Sequence, residues 1–372
     1  MSTGSTTTAE QQAQPLASRR AARQFYRLRV ADVEPLCADA VAVRFAVPSH
    51  LAETFAHQPG QSMTLRRFVD GREERRDYSI CAPFGAAPRV GVRLVPGGAL
   101  SSWLVSELKP GTEVEVQPPS GRFTPDLEVA ARHVLLAAGS GITPTLSIAA
   151  SLLRHTDSRV TLVYGNRRSD TVMFADELCD LKDRYPERLE LLHVLSREPR
   201  ESDLLSGRLD GAKLDRLLQT LIEPSGVAHW WLCGPYEMVT AAQHTLEGHG
   251  VPAARVHREL FYVGHAPPPP VRHVETAASG PSAEVTVELD GRTTTHTLPR
   301  DVPILDAAQR YRSDLPFACK GGVCGTCRVL VRHGEVRMRR NFALEADELA
   351  AGFALSCQSL PVTDQVTVDY DA

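Results

Sequence analysis

Four cysteines constrain this chain more than any other feature. Cys319, Cys324 and Cys327 stand in the spacing C-x4-C-x2-C, and a remote fourth, Cys357, follows. Plant-type 2Fe-2S centres are held by this spacing, with four thiolates on two irons. Gly321, Gly322 and Gly325 fall between the ligands. A loop that wraps a cluster brings backbone N–H groups close to its sulfides, and side chains there would obstruct. Four cysteines also suit structural zinc, though zinc sites usually use two short Cys pairs rather than a three-Cys loop. The spacing predicts a 2Fe-2S cluster on Cys319, Cys324, Cys327 and Cys357. The scattered Cys37, Cys81, Cys179 and Cys233 form no pattern of a disulfide framework, which fits a reducing compartment.

At 372 residues the chain has room for two or three domains, each with its own core. Met1 to Ser18 is rich in Ser, Thr, Gln and Ala, and residues 1–22 read as a disordered tail. It has no apolar signal core, and Arg19-Arg20 lacks the setting of a twin-arginine signal, so a cytoplasmic protein is expected. From 23 to 126 short alternating strands dominate (Val41–Val47, Ser62–Phe68, Arg89–Val95, Glu113–Gln117), as in an antiparallel β-barrel. From 127 to 263 buried strands (His133–Ala138, Val160–Tyr164, Leu189–Leu195, His229–Cys233) alternate with amphipathic helices, the rhythm of a doubly wound α/β domain. Residues 264–281, with Pro267 to Pro270, read as a linker. Beyond it, Ala283–Leu289 and Arg292–Leu298 flank an Asp290-Gly291 turn and open a small β-rich domain, 282–372. No run of 18 apolar residues spans a bilayer. With 41 basic and 45 acidic side chains the net charge is -4, leaving no polybasic footprint for nucleic acid or anionic lipid.

Several short strings sit at strand ends, where ligands bind α/β sheets. Gly139-Ser140-Gly141-Ile142-Thr143-Pro144 follows a strand and precedes a helix expected over Thr145–Leu153. Such a turn offers free N–H groups to a pyrophosphate, although Pro144 stands where a dinucleotide fingerprint has its third glycine. The next strand end lacks the acidic residue that holds an NAD ribose and carries Arg167, Arg168 and Ser169 instead. An arginine there pairs with a 2′-phosphate, favouring NADPH; the alternative is a solvated loop charge. Cys233-Gly234-Pro235 puts a thiol at the carboxyl edge of the sheet, where a packing cysteine is the alternative. Arg76-Asp77-Tyr78-Ser79-Ile80 joins a cation, an aromatic face and a hydroxyl. Arg93, Gly97, Gly98 and Ser101 mark a strand, a Gly-Gly turn and a helix start, suited to phosphate or to plain Ser capping. No catalytic triad or carboxylate pair is apparent.

Together these motifs resemble the ferredoxin-NADP reductase superfamily, arranged as flavin domain, pyridine-nucleotide domain and C-terminal plant-type ferredoxin, over about residues 23–372. The resemblance implies a β-grasp α+β fold for 282–372 and a flavin held by Arg76, Tyr78, Ser79 and Ile80. In it Tyr78 flanks the isoalloxazine and Ser79 approaches N5. It implies FAD rather than FMN, with the pyrophosphate at Arg93, Gly97, Gly98 and Ser101. Gly139 to Pro144 corresponds to the nicotinamide loop, and Cys233-Gly234-Pro235 lies beside the nicotinamide ring. Glu259-Leu260-Phe261 closes the module near the flavin, with Leu260 where the family often has Arg. Ser79, Cys233 and Glu259 are the expected catalytic residues, and Phe261 a cofactor contact.

Leu195-Ser196-Arg197-Glu198, Ala318 to Cys324 and Met338 to Gln358 are similar to the reductase subunits of phenylacetyl-CoA 1,2-epoxidases. Arg339 and Arg340 are more basic than that pattern. The implied path runs from NADPH through FAD and the 2Fe-2S cluster to a di-iron oxygenase partner. Reductases of ring-hydroxylating dioxygenases or ketosteroid hydroxylases are the alternative, and a non-catalytic redox sensor is a reading of another class.

Overall fold

A computed structural model describes residues 23–69, 71–262 and 281–372. The expected tail (1–22) and residues 264–280 of the expected linker lie outside the described residues.

The first sheet contains β1 (Tyr26–Cys37), β2 (Ala40–Ala46), β3 (Ser62–Val69), β4 (Arg72–Ser79), β5 (Arg89–Arg93) and β6 (Glu113–Val116). Its order is β4-β3-β6-β1-β2-β5, all antiparallel, and a bridge between Ile80 and Val90 joins the two edges into a barrel. Alternation decides the inside: Leu28 and Val30 enter the core while Arg27 and Arg29 face out. β4 is almost wholly charged and gives no alternating signal. It holds its place through its neighbours, because Arg66 on β3 reaches Glu73 at 3.1 Å and Glu115 at 2.9 Å. Helix α1 (Ala99–Ser106) covers one end of the barrel with Leu100 and Leu104.

The second sheet is parallel: β7 (Arg132–Ala138), β8 (Arg159–Asn166), β9 (Leu189–Leu195), β10 (His229–Pro235) and β11 (Val256–Tyr262), ordered β11-β10-β7-β8-β9. Helices α2 (Ile142–His155), α3 (Ala175–Arg184), α4 (Gly211–Thr220) and α5 (Tyr236–Gly248) cover it. Successive β7 side chains serve opposite faces. Leu135 and Ala137 pack with α2 and α3, Val134 and Leu136 with α4 and α5, so the domain is doubly wound as the rhythm predicts. Helix α2 starts three residues before the expected Thr145, because a proline in the first helical turn forfeits no intrahelical bond. The strand order reverses about β7, which opens a crevice at the carboxyl ends of β7 and β10.

The third unit contains β12 (Ser282–Leu289), β13 (Arg292–Pro299), β14 (Arg328–His333), β15 (Val336–Met338), β16 (Phe353–Leu355), β17 (Ser359–Pro361) and β18 (Gln365–Asp369), with α6 (Ile304–Ala308) and α7 (Ala346–Ala350). The main sheet runs β13-β12-β18-β14-β16, with β12 parallel to β18, and α6 packs its Ile304 and Leu305 on Val285 and Val287. This is the β-grasp arrangement. The Asp290-Gly291 turn has φ of 55° and 68°, the left-handed pair that a two-residue hairpin needs. Among the described residues no helix is long and apolar enough to cross a membrane.

Candidate functional site

The three units meet around one cavity of about 2420 Å³, lined from all three sheets. A pocket for a single ligand holds roughly 300–1,000 Å³, so this one has room for more than one bound group. The barrel and the α/β domain are pressed together beside it. A Cβ on Gly91 of β5 would fall 2.4 Å from Thr143 Cγ2, so the barrel reaches α2 only because that residue is glycine.

Three expected catalytic residues converge although they come from separate strands. Ser79 ends β4, Cys233 lies near the end of β10, and the parallel register sets Glu259 of β11 beside Cys233. Ser79 Oγ donates to Glu259 Oε1 at 3.5 Å, while Glu259 Oε2 is buried without a partner. Burial, and then the charge of Asp77, push the Glu259 carboxyl up to about 8, so it is protonated at neutral pH. Cys233 is fully buried, and burial next to Glu259 keeps its thiol neutral. Gly141 passes close to this point, and a Cβ there would stand 2.1 Å from the Cys233 carbonyl oxygen.

Other expected contacts divide into those that line the cavity and those that support it. Arg76, Tyr78, Arg93, Gly97, Gly98, Ser101, Gly139, Ser140, Arg167, Gly234, Pro235 and Phe261 line it. Arg76 also pairs with Glu74 at 3.1 Å. Arg93 is partly committed, since Nη2 donates to the Thr171 carbonyl at 2.5 Å and Nε lies 3.2 Å from Asp39. Ser101 Oγ accepts from the Val95 N–H at 3.1 Å and thereby closes the Gly-Gly turn, where Gly97 has φ of 76°. Ile80 instead belongs to the barrel core, and the buried Gly141, Thr143 and Pro144 pack the base of α2.

At the ends of β8 and β9 the structure brings forward residues to which sequence reasoning gave no ligand role. Arg168 Nε pairs with Asp170 at 3.1 Å, and Ser169 donates its N–H and hydroxyl to Glu198 at 2.8 and 2.9 Å. Neither lines the cavity, whereas Ser196, Arg197 and Arg208 do, beside Arg167. The signal was available: Ser196-Arg197 directly follows β9, as Arg167-Arg168 follows β8.

The cluster loop forms the third wall, with Cys319, Gly321, Val323, Cys324, Gly325 and Thr326 at the cavity. Lys320, Gly322 and Gly325 have φ of 50°, 80° and 70°, a run of left-handed turns that coils the backbone inward. The backbone N–H groups of Gly321 and Cys324 point at Cys319 Sγ, at 3.3 and 3.4 Å. Cys319 has Cys324 as its thiol neighbour, and Cys327 has Cys357. Two neighbouring thiol pairs suit a two-iron centre with two thiolates per iron. Gln358 braces the loop, its Nε2 donating to the Lys320 carbonyl at 2.8 Å.

Three family models match in the order of these units: an oxidoreductase FAD-binding domain over residues 27–124, an oxidoreductase NAD-binding domain over 135–244 and a 2Fe-2S iron-sulfur cluster binding domain over 287–362. The chain is 45% identical over 354 residues to one of the subunits of the 1,2-phenylacetyl-CoA epoxidase of Escherichia coli K12, covering 94% of this chain and 98% of that one. The chain belongs to the ferredoxin-NADP reductase superfamily. It is also 35% identical to the ferredoxin reductase component of 3-ketosteroid-9-alpha-monooxygenase of Rhodococcus rhodochrous, over 92% of this chain and 96% of that one. Phthalate dioxygenase reductase has the same fold, with a TM-score of 0.58 at 24% identity, 93% of this chain and 98% of that one being covered.

As a member of this superfamily the protein is an NAD(P)H-dependent flavin and iron-sulfur oxidoreductase with FAD and 2Fe-2S centres. The observed residues fit those groups. The neighbouring thiols and inward N–H groups suit the cluster, and the cavity lined by Tyr78, Ser79, Gly139 and Glu259 has the size for a dinucleotide.

Proposed function

We propose that this protein is the reductase component of a multi-component oxygenase, taking electrons from NADPH and delivering them to a di-iron oxygenase of the phenylacetyl-CoA 1,2-epoxidase type. The observation that carries the reading is the convergence of Tyr78, Ser79, Gly234, Glu259 and the Cys324 loop on one cavity. The choice of acceptor is supported by the 45% identity to a component of the Escherichia coli epoxidase. All eight cysteines are free, which agrees with the reducing cytoplasm as its location.

Bound FAD takes up two electrons as a hydride and releases them singly, and the 2Fe-2S centre carries one at a time. The chain's own residues supply orientation. Tyr78 offers its ring and Ser79 its hydroxyl at the end of β4, facing Gly234 and Pro235 across the cavity. Gly139 and Ser140 leave the carboxyl edge of β7 open to a pyrophosphate, with Arg93 near Gly139. Glu259 holds a proton below about pH 8, and Ser79 Oγ is its hydrogen-bonding partner, donating to Oε1 at 3.5 Å. Cys233 does not line the cavity and packs in the core beneath Gly234.

The Arg167, Ser196, Arg197 and Arg208 cluster is the proposed seat of the 2′-phosphate, and Arg168 and Ser169 support it from behind through Glu198. Arg197→Ala is expected to raise KM for NADPH by roughly 10- to 100-fold, as loss of a charge-assisted contact does. The KM for NADH should stay nearly constant. Equal changes for the two nucleotides in steady-state ferricyanide reduction would remove Arg197 from that role.

Anaerobic titration with NADPH, alongside iron, sulfide and flavin analysis, tests the electron path. Reduction of both centres followed by coupled turnover with a purified epoxidase oxygenase is the expected result. Coupling only to a ketosteroid or ring-hydroxylating oxygenase would move the acceptor, and no reduction by either nucleotide would favour a redox sensor.

A further inference from the structure

Between Arg76 and Tyr78 stands Asp77, whose carboxylate is held from both sides. Thr64, its cross-strand neighbour on β3, donates to Oδ1. On the other side Thr326 Oγ1 lies 3.1 Å from Oδ2, although the two residues are 249 positions apart. Thr326 sits between the ligands Cys324 and Cys327, and the same Oγ1 is 3.1 Å from Cys324 Sγ. A continuous polar chain therefore runs from β3 through Asp77 to a cluster ligand. A hydroxyl carries one hydrogen, so Thr326 either donates to Asp77 or turns toward the sulfur.

The remaining contacts between the cluster domain and its neighbours are of a different kind. Arg258 spans to Glu345 with two bonds of 2.9 Å, and Arg122 pairs with Glu348, but Glu345 and Arg122 are open to solvent at 57% and 75%. Exposed pairs of this sort hold two surfaces near each other without fixing orientation. Arg75 of β4 lies over the Phe317 ring, 4.1 Å from its centroid, and its Nη1 donates to the Leu315 carbonyl at 3.5 Å, so β4 also grips the segment that leads into Cys319. Among these pairs only Asp77 and Thr326 place a hydrogen bond between two ligand positions, Cys324 and Cys327.

We propose that the Asp77–Thr326 hydrogen bond is an interdomain latch that sets the cluster loop against the flavin strand, making both residues positioning residues for single-electron transfer from flavin to cluster. The proposal rests on the flavin lying at Tyr78 and Ser79. In the transfer the reduced flavin loses one electron and the oxidised cluster gains it. The latch contributes distance and orientation and takes no part in the exchange of charge.

The test uses the full-length holoprotein and stopped-flow reduction by NADPH, following flavin bleaching and cluster reduction separately. Thr326→Val keeps the side-chain shape and removes the donor. Flavin bleaching should stay within about twofold, while cluster reduction should slow by about tenfold, the fold-change of losing a buried hydrogen bond. Thr326→Ser should restore the wild-type rate. Hydrogen exchange across 319–327 in the oxidised holoprotein should quicken in Thr326→Val and not in Thr326→Ser. Asp77→Ala should give the same slowing with the ligand loop intact, and the double variant should be no slower than the slower single one. Wild-type cluster reduction and exchange in Thr326→Val would overturn the latch, as would additive effects or loss of iron in Thr326→Val with normal transfer in Asp77→Ala. Failure of the wild-type protein to reduce flavin would instead defeat the proposed function.

Discussion

Cys327→Ser is expected to yield a reductase that accepts electrons and cannot pass them on. Cys327 is 3% exposed, packs in the core of the β-grasp unit with Leu315 and Leu355, and has Cys357 as its thiol neighbour. Its loss opens one of the two thiol pairs, and a buried serine hydroxyl is a poor substitute for thiolate on iron. Iron content should fall, and reduction of the oxygenase partner should drop by on the order of a hundredfold or more, since loss of a supporting residue alone typically costs 10–100-fold. Reduction of ferricyanide, which draws electrons from flavin, should persist within about threefold because no buried core residue of the barrel or the α/β domain comes from the cluster unit. The two assays on one preparation separate these outcomes. Equal loss of both would mean that the cluster domain is needed to fold the rest.

Glu259→Gln is expected to slow hydride transfer from NADPH by roughly 10- to 100-fold at pH 7, the scale of a positioned proton donor. Wild-type flavin reduction should decline as pH rises through about 8, where the carboxyl ionises, and the variant should show no such decline. Wild-type stability should fall with rising pH as well. The folded-state value is raised above that of an unfolded glutamate, so the folded protein binds the extra proton between about 4.5 and about 8. The wild type therefore loses stability as pH climbs through that window, by on the order of 3 kcal/mol once cavity water is allowed for. Glutamine removes the ionisation, and the variant should melt at a higher temperature than the wild type at pH 9. Thermal melts at pH 6 and pH 9, run with stopped-flow flavin reduction, check both halves. A variant that is slower and also less stable at pH 9 would point to a structural role for the carboxylate.

Much of the architecture was legible because it is local. Barrel strands such as β6 carry a period-two pattern, α/β strands such as β8 read as buried runs, and Asp290-Gly291 encodes its own turn. Only the end of β4, from Arg76, was legible as strand: the charged string before it is satisfied through Arg66, Glu73 and Glu115, partners on three strands of the barrel sheet. The expected 2′-phosphate residues show the same limit. Arg167-Arg168-Ser169 and Ser196-Arg197 look alike as strings, and only the packing of Glu198 against Ser169 shows which group lines the cavity.

Local sequence was enough for the order of the three units, and it supplied the proposed ligand set of the cluster and the proposed ligand-binding strand ends. Each follows from spacing or periodicity within a short segment, where covalent geometry limits what neighbours can do. Docking of the folded units was needed to bring Ser79 to Glu259 from 180 positions away, to press Gly141 against the Cys233 carbonyl, and to set Asp77 on Thr326. Those contacts depend on the shapes of surfaces that exist only after folding, and a polar pair joined across domains leaves no period or spacing in the chain that encodes it.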